Sequence, residues 1–281
     1  MYTALSDQTP LVSIVTPSYN QGKFVEQTIQ SVLAQDYPNI EYIIMDGGST
    51  DDTLSIIRKY QDKISKWASE PDGGQSNAIN KGWRMARGDI LAWLNSDDMY
   101  PPGAVSSAVS ALLKIPAVGM VFGDSYLIDA QGKFISRYSS KNKNGYRKGM
   151  PVEHDIPQPA VFIRKRALQE VGFLNEDLNY CMDYELYMRI AKRFDIIYTP
   201  QVLAQMRIYM GTKTSQNTFI NMQEKIEVLK RYHPRWYLSR YGQNYILHKY
   251  IWRRLPHFMQ LLFRKFRASN YDRILMDLEK R

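Results

Sequence analysis

Short apolar runs rich in β-branched residues alternate with helical segments early in this chain, and this alternation limits the possible folds more than any other feature. The runs fall at residues 11–16, 40–45 and 90–94, and residues 64–69 predict a weaker strand between the last two. Between the first two, Val25, Ile29 and Val32 repeat with the spacing of one helix face. Strands that are apolar nearly throughout and separated by helices are typical of a parallel sheet covered on both faces. The sequence therefore predicts an α/β fold with a doubly wound, mostly parallel sheet.

The pattern changes after about residue 115. We expect further strands at residues 118–122, 126–129, 133–138 and 160–164, and a helix at residues 183–194. An earlier helix at residues 75–86 should end at Gly88, because glycine favours the C-cap position. The polar stretch 139–157 predicts a mobile loop over a site.

The basic residues are concentrated at the C-terminal end of the chain. Residues 215–281 hold 14 Lys and Arg against 5 Asp and Glu, which accounts for the whole net charge of +9. We therefore divide the chain into a main domain, residues 1–214, and a basic helical extension, residues 215–281. Such an extension attracts an anionic surface or partner.

Cysteine content and apolar runs bear on the cellular location. Cys181 is the only cysteine, which excludes an intramolecular disulfide and suits a reducing compartment. The first residues lack the pattern of a secretory signal, and no apolar run approaches the roughly 18–20 residues that span a bilayer. We expect a cytoplasmic protein, or one attached peripherally to the inner face of the cytoplasmic membrane.

Acidic residues follow three of the predicted strands. Asp46 follows the second, Asp72 the third, and the pair Asp97-Asp98 the fourth. Ligands of open α/β sheets bind outside the carboxyl ends of the strands, so these carboxylates should share one edge. Adjacent carboxylates suit Mg²⁺ or Mn²⁺, although the pair could instead cap a helix near Pro101.

Two other residues have a functional and a plain interpretation. The Asp46 carboxylate could accept an N–H from a nucleobase, with glycines keeping the backbone close, or Asp-Gly-Gly could simply form a turn. Lys81, in a predicted helix, could neutralise a phosphate or remain a solvated charge.

Four motifs in this order carry a family resemblance. They are VSIVTPSYNQGKFVEQTIQSVLAQDYPNIEYIIMDGGSTDDT, EPDGGQSNAINKGWRMARGDILAWLNSDD, QPAVFIRKRAL and NEDLNYCMDYELYMRI. Over residues 11–214 the chain resembles the family-2 glycosyltransferases with the A-type fold. The resemblance implies inverting transfer of a hexosyl or N-acetylhexosaminyl group from a nucleoside-diphosphate sugar, with UDP as the expected nucleotide, using Mn²⁺ or Mg²⁺. It also implies a glycan or lipid-linked acceptor in cell-surface polysaccharide synthesis.

The resemblance also implies roles for individual residues on the donor side of the site. Asp46 would contact the nucleobase, Pro17 and Tyr19 would form the wall of its pocket, and Asp72 would contact the nucleoside. Gln75 and Lys81 belong to the same segment as Asp72. Asp97 would face the ribose or donor sugar, and Asp98 would bind the metal.

On the acceptor side, Asp183 stands in the place of the family's catalytic base, with Glu185 as the rival. Without the resemblance, Asp183 would be interpreted as a helix cap. His154 and Gln158 could contact the acceptor or the sugar, or could be plain loop residues. One departure is Tyr209, which stands where the family often has a histidine, and a neutral phenol is a poorer metal ligand.

The basic extension interleaves aromatic residues with Lys and Arg, and this pattern fits either of two roles. It can lie on an anionic membrane, or it can pack as a helical cap on the main domain. No nucleic-acid recognition motif accompanies the charge, so we expect no nucleic-acid partner. The alternative functions are a nucleotidyltransferase and a non-catalytic protein that binds a sugar nucleotide or a partner.

Overall fold

The computed structural model describes residues 9–140, 144–146, 156–209, 212–213, 218–233, 235–238, 242–243 and 246. The chain forms two compact units, Met1–Met150 with His154–Arg207 and Pro151–Glu153 with Ile208–Arg281. The division at Arg207 precedes the boundary that we expected at residue 214. The separate roles of the two parts stay a prediction.

The first unit is built on an eight-stranded sheet. Its strands are β1 (Val12–Ser18), β2 (Ile40–Asp46), β3 (Lys66–Ser69), β4 (Ile90–Trp93), β5 (Met120–Ile128), β6 (Phe134–Tyr138), β7 (Val161–Arg164) and β8 (Ile196–Arg207). They lie in the order β3-β2-β1-β4-β7-β5-β6, and β8 pairs with β5. Strands β1 to β4 pair in parallel, whereas β7 is antiparallel to both β4 and β5. The predicted α/β fold with a mostly parallel sheet is confirmed.

Helices connect the strands of this sheet. In the described part of the first unit they are α1 (Val25–Leu33), α2 (Thr53–Lys59), α3 (Gln75–Met85), α4 (Ala104–Lys114), α5 (Lys165–Val171) and α6 (Met182–Arg193). Helix α3 lies very close to the sheet, since a Cβ at Gly82 would be 2.5 Å from Val15 Cγ1. In the second unit, the described elements are helix α7 (Thr218–Tyr232) and the 3-10 turn Trp236–Leu238.

The second half of the sheet differs from the sequence-based expectation. The two strands expected at residues 118–122 and 126–129 form one strand, β5, whose register shifts on either side of Asp124. Strand β8 was not expected, because Pro200 and the polar Gln201 and Gln205 interrupt its apolar pattern. The strand forms nevertheless, because it pairs in parallel with β5.

Gly88 does not cap helix α3, so that expectation was wrong. The helix ends at Met85, its C-cap is Ala86 in an extended conformation, and Gly88 does not have a positive φ. A Cβ at Gly88 would lie 2.6 Å from Ser13 Oγ and 2.8 Å from Leu11 O. Glycine is needed there because the chain passes directly against strand β1.

Most of the loop expected at residues 139–157 lies outside the described residues. Within it, Tyr146 pairs with Ile196 at the start of β8, through N–H···O distances of 2.7 and 2.8 Å. In the part of the chain that the structure describes, no helix is both long and apolar enough to cross a bilayer.

A buried carboxylate ties β1, β2 and the segment after α3 together. Glu41, only 1% exposed, accepts hydrogen bonds from Ser13 Oγ at 2.6 Å and from the amide and Nε of Arg87 at 2.7 and 2.8 Å. Burial by itself would raise the Glu41 pKa, but these bonds and the charge of Lys66 outweigh burial and lower it to about 2. Glu41 therefore remains ionised in the folded protein.

Glu41→Gln is expected to lower the free energy of unfolding at pH 7 by about 2–3 kcal/mol, since the amide cannot accept all these bonds. Because the folded pKa is depressed below 4.5, this stabilisation is complete above about pH 4.5 and disappears as the pH falls toward 2. Urea unfolding at pH 7 and pH 4 should show a smaller difference at pH 4. Glu227 forms an exposed ion pair with Lys230, so Glu227→Gln offers a control. Its free energy of unfolding should equal that of the wild type. Equal stability of Glu41→Gln and wild type at pH 7 would contradict this account.

Candidate active site

The carboxyl ends of the central parallel strands meet at one edge of the sheet. In the register of β1 and β2, Pro17 lies opposite Met45 and Ser18 lies opposite Asp46. Strand β4 runs parallel to β1 on its other side, and residues 95–98 follow its end. This edge is where ligands of open α/β sheets bind.

Asp98 is held inside the loop that follows β4. Its side chain is 4% exposed, its Oδ1 accepts the Arg207 amide at 2.9 Å, and its Oδ2 accepts Asn95 Nδ2 at 3.3 Å. Its own carbonyl accepts Thr28 Oγ1 at 2.7 Å. Helix α4 begins with Gly103 as N-cap and has no side-chain cap, so the pair Asp97-Asp98 does not serve as its cap.

The environment of Asp98 disfavours a lone negative charge. Burial raises the pKa of its carboxyl well above the ordinary value, and the charge of Asp97 raises it further. The Arg207 amide and the Asn95 side chain oppose this rise without cancelling it. A cation beside Asp98 would stabilise its ionised carboxylate and so offset the effects of burial and of Asp97 on its pKa.

Arg207, the last residue of β8, holds the Asp97-Asp98 loop in place. It is 2% exposed, and its Nε donates to Asp97 O at 2.8 Å. Its Nη1 donates to the carbonyls of Asp129 and Ala130, and its Nη2 donates to Gln27 Oε1 at 2.6 Å. One buried guanidinium thus joins the loop after β4 to the turn after β5 and to α1.

A chain of side-chain amides crosses the same edge. Gln75, the first residue of α3, donates to Asn95 Oδ1 at 2.8 Å. Asn95 Nδ2 donates to Gln158 Oε1 at 2.9 Å, and Gln158 Nε2 donates to Trp93 O at 3.1 Å. The structure thus brings together Gln75, Asn95, Asp98 and Gln158.

Asp46 ends β2 and is buried, with 2% of its surface exposed. Its carboxylate accepts four hydrogen bonds, from the amides of Gly48 and Ser49 and from the hydroxyls of Ser49 and Ser69. These bonds shape the loop that follows β2. The nucleobase contact expected of Asp46 stays a prediction.

Asp72 and Lys81 lie on either side of the start of α3. Asp72 Oδ1 accepts the Gly74 amide at 2.7 Å, and a Cβ at Gly47 would lie 2.9 Å from Asp72 Oδ2, so this carboxylate lies over the loop after β2. Lys81 forms an ion pair with Glu70 at 2.7 Å. The phosphate role of Lys81 would require it to exchange this exposed partner for the ligand.

Pro17 and Tyr19 differ in exposure. Pro17 is buried in β1, whereas the Tyr19 ring, just past the strand, is 62% exposed. The next residue, Asn20, has φ +51° and accepts the Thr50 amide at 2.9 Å through its side chain. This bond fixes the segment that carries Tyr19 against the loop after β2.

Asp183 lies in the first turn of α6 and is half-buried. The N-cap of that helix is Cys181, without a side-chain cap bond, so Asp183 is not the cap. Burial, and then the negative charge of Asp183, raise the pKa of the Tyr187 phenol. Asp183 and Tyr187 are four residues apart and lie on one face of α6.

Glu185 differs from Asp183 in its partner. It is 5% exposed, and its carboxylate accepts Arg189 Nε at 2.9 Å. Arg189 donates in turn to the carbonyls of Val171, Gly172 and Phe173. Glu185 is thus engaged in a buried ion pair.

Of the other residues expected near the site, His154 lies outside the described residues and Tyr209 belongs to the second unit. No group of three or more His, Cys, Asp or Glu that could hold a metal occurs among the described residues. Mg²⁺ and Mn²⁺ sites commonly use one or two carboxylates with substrate phosphates, so Asp98 beside Asp97 fits such an ion.

We assigned no role to Asn95, Arg207 or Gln27 from the sequence. Asn95 stands two residues before the acidic pair, and its position there was the available signal. Arg207 bonds to residues distant in sequence, such as Asp98 at a separation of 109. No local pattern indicates such contacts.

Comparison with known proteins places this site in context. The sequence profile of Glycosyl transferase family 2 matches residues 13–172. An uncharacterized glycosyltransferase of Rickettsia prowazekii is 32% identical over 229 residues, covering 79% of this chain and 70% of the relative.

Two solved structures are similar in fold at low sequence identity. Residues 1–349 of S. aureus TarS in complex with UDP-GlcNAc superpose with a TM-score of 0.64 at 16% identity, covering 89% of this chain and 77% of that one. The mannosyltransferase PcManGT from Pyrobaculum calidifontis, in complex with GDP-Man and Mn²⁺, gives a TM-score of 0.63 at 19% identity, covering 98% and 80%. The A-type glycosyltransferase fold is thus shared with both.

Proposed function

Because this chain belongs to Glycosyl transferase family 2, we propose that it transfers a sugar with inversion from a nucleoside-diphosphate sugar to a hydroxyl group. The donor nucleotide is UDP. The sugar is a hexosyl or N-acetylhexosaminyl group, and the acceptor is a glycan or a lipid-linked oligosaccharide of cell-surface polysaccharide synthesis.

The observation that carries the proposal is the position of Asp98. A buried carboxylate with a raised pKa stands at the edge of the sheet where the parallel strands end, next to a second carboxylate. Arg207 and Asn95 fix it there through bonds to its two oxygens. Such a group is costly to bury unless a positive ligand compensates it.

The donor side would be formed by the loops after β1, β2 and β4. Tyr19 offers an exposed aromatic face for a nucleobase beside Pro17 and Asp46. Asp72 faces the nucleoside, with Gln75 and Lys81 in the helix that follows, and Asp97 faces the ribose or the donor sugar. Asp98 would hold Mn²⁺ or Mg²⁺, which supplies charge stabilisation for the departing diphosphate when it is bound.

Asp183 would act as the general base. Its carboxylate takes the proton of the acceptor hydroxyl as the acceptor oxygen bonds to the anomeric carbon. The bond from that carbon to the diphosphate oxygen breaks, and the nucleoside diphosphate leaves with the electron pair. Attack opposite the leaving group inverts the anomeric centre. The Glu185–Arg189 ion pair supports Asp183 rather than Glu185 as the base.

A thermal-shift panel of UDP-, GDP-, dTDP- and CMP-sugars, each with and without Mn²⁺, tests the donor. A ligand that binds only the folded state at 100 times its Kd adds about 2.7 kcal/mol of stability. We expect a shift with UDP-sugars that requires Mn²⁺. If none of the nucleotide sugars shifted Tm, a donor site would be refuted and a scaffold or binding role favoured.

The acceptor and the location form a further part of the proposal. The basic extension, residues 215–281, would hold the enzyme peripherally on the inner face of the cytoplasmic membrane, beside a lipid-linked acceptor. His154 and Gln158 would contact the acceptor or the sugar. Flotation of the full chain with phosphatidylserine liposomes, but not with neutral ones, is expected at low salt. Equal flotation with both would refute the electrostatic attachment.

A further inference from the structure

The segment that leads into α6 is held from two sides by polar contacts. We call residues 171–178 the α6 leader. It begins at the end of α5 and is followed, four residues after it, by Met182, the first residue of α6. Asp183 is the second residue of that helix, so its position depends on the leader.

Helix α3 holds one side of the leader. Asn80, 1% exposed, donates from Nδ2 to Leu174 O at 2.9 Å and accepts the Leu174 amide on Oδ1 at 3.0 Å. Its side chain thus pairs with both backbone polar groups of Leu174, as a neighbouring strand would. Ser76 adds a bond to Leu178 O at 3.1 Å, and Asn77 adds one to Glu176 at 2.7 Å.

Helix α6 holds the other side. Arg189 donates to three successive carbonyls of the leader, those of Val171, Gly172 and Phe173, at 2.6, 2.9 and 2.6 Å. Glu185 fixes the guanidinium through an ion pair at 2.8 Å. Because Glu185 and Arg189 are four residues apart, both lie on one face of the helix that carries Asp183.

The same helix α3 also reaches the donor side. Its first residue, Gln75, bonds to Asn95 in the loop that contains Asp98. Because Gly82 has no side chain, the helix lies directly against β1, and α3 cannot shift easily relative to the sheet. Helix α3 is therefore a rigid link between the acidic loop and the α6 leader.

The geometry points to Asn80 as a positioning residue that sets the catalytic base Asp183 relative to the bound donor. Asn80 acts through the leader and does not itself touch the reacting atoms. Arg189 performs the same task from α6. This inference rests on the proposed function of Asp183. It assigns Asn80, Glu185 and Arg189 to positioning the base, a task separate from the proton transfer itself.

Asn80→Asp is the sharpest variant, because it keeps the shape and the acceptor Oδ1 but places an oxygen against Leu174 O and Glu176 Oε1. Amide hydrogen exchange of the peptides that cover residues 171–181 should become at least about tenfold faster. For the donor that the thermal-shift panel identifies, kcat should fall about 10- to 100-fold, since a misplacement near 1 Å can cost that much. The Kd of UDP with Mn²⁺ should change less than twofold.

A second variant and a control separate positioning from general instability. Arg189→Lys keeps the charge beside Glu185 but loses the fork that reaches the leader carbonyls, and the same pattern of effects is expected. Because both variants release the same segment, the double variant should lose little more kcat than the worse single one. The control is Val109→Ala in α4, which should lower Tm about as much as these two variants. It should not change the amide hydrogen exchange of the leader.

The outcomes distinguish this inference from the proposed function. Unchanged leader exchange, or unchanged kcat in both single variants, overturns the inference. A double variant whose loss equals the product of the single losses, or a weakened Kd for UDP, also overturns it. If the wild-type chain transfers no sugar, the proposed function fails, and hydrogen exchange still decides whether Asn80 holds the leader.

Discussion

The Asp183→Asn variant is expected to transfer sugar about 10² to 10⁴ times more slowly than the wild type, because its amide cannot take the proton of the acceptor hydroxyl. The substitution keeps the size of the side chain in the first turn of α6, where Asp183 is half-buried. Binding of UDP and Mn²⁺, measured by calorimetry, should remain within a factor of two. The rate is measured as nucleoside diphosphate released per enzyme.

The comparison with Glu185 makes this prediction specific. Glu185 is committed to Arg189, so Glu185→Gln should disturb the leader and its hydrogen exchange, whereas Asp183→Asn should leave exchange unchanged. Asp62→Asn removes one carboxylate from an exposed 3-10 turn and should keep wild-type activity. A fully active Asp183→Asn enzyme would contradict the assignment of the base.

The Asp98→Asn variant is expected to lose Mn²⁺-dependent nucleotide binding by at least about 10²-fold, since charge stabilisation by a bound cation is typically worth several kcal/mol. The asparagine oxygen can still accept the Arg207 amide, so the loop should stay folded. Burial and the charge of Asp97 both oppose a negative charge at this position. Without ligand, the variant should therefore melt at the wild-type Tm or above it.

Two measurements on the same samples test this prediction. Calorimetry of UDP with and without Mn²⁺ reports the loss of binding, and thermal melting without ligand reports stability. A variant that binds UDP with the wild-type dependence on Mn²⁺ would remove Asp98 from the metal site. A variant that melts well below the wild type would show that the carboxylate has a structural task. Asp62→Asn again serves as the control.

The central strands could be predicted from the sequence because each is a short, nearly continuous apolar run. Strands β1, β2 and β4 begin and end within about two residues of the expected positions. The rule that ligands lie beyond the carboxyl ends of parallel strands then indicated where acidic residues would meet. Both inferences depend only on local composition and on the geometry of parallel sheets.

The remaining features depend on contacts between residues that are distant in sequence. Strand β8 lies in the sheet although Pro200 and two glutamines interrupt its pattern, because β5 provides its hydrogen bonds. Asn80 and Leu174 are 94 residues apart, and Arg207 and Asp98 are 109 apart. Gly88 resembled a helix cap in the sequence, but the constraint on it comes from β1, which lies far away along the chain.

Time-resolved proton NMR of the anomeric signals during turnover of UDP-α-GlcNAc with Mn²⁺ tests the central claim most directly. Water serves as the acceptor when no glycan is present. The account predicts equal amounts of UDP and free sugar, with the β anomer appearing first, before mutarotation. The α anomer appearing first, cleavage to UMP and sugar phosphate, or failure to turn over any donor of the nucleotide panel would contradict it.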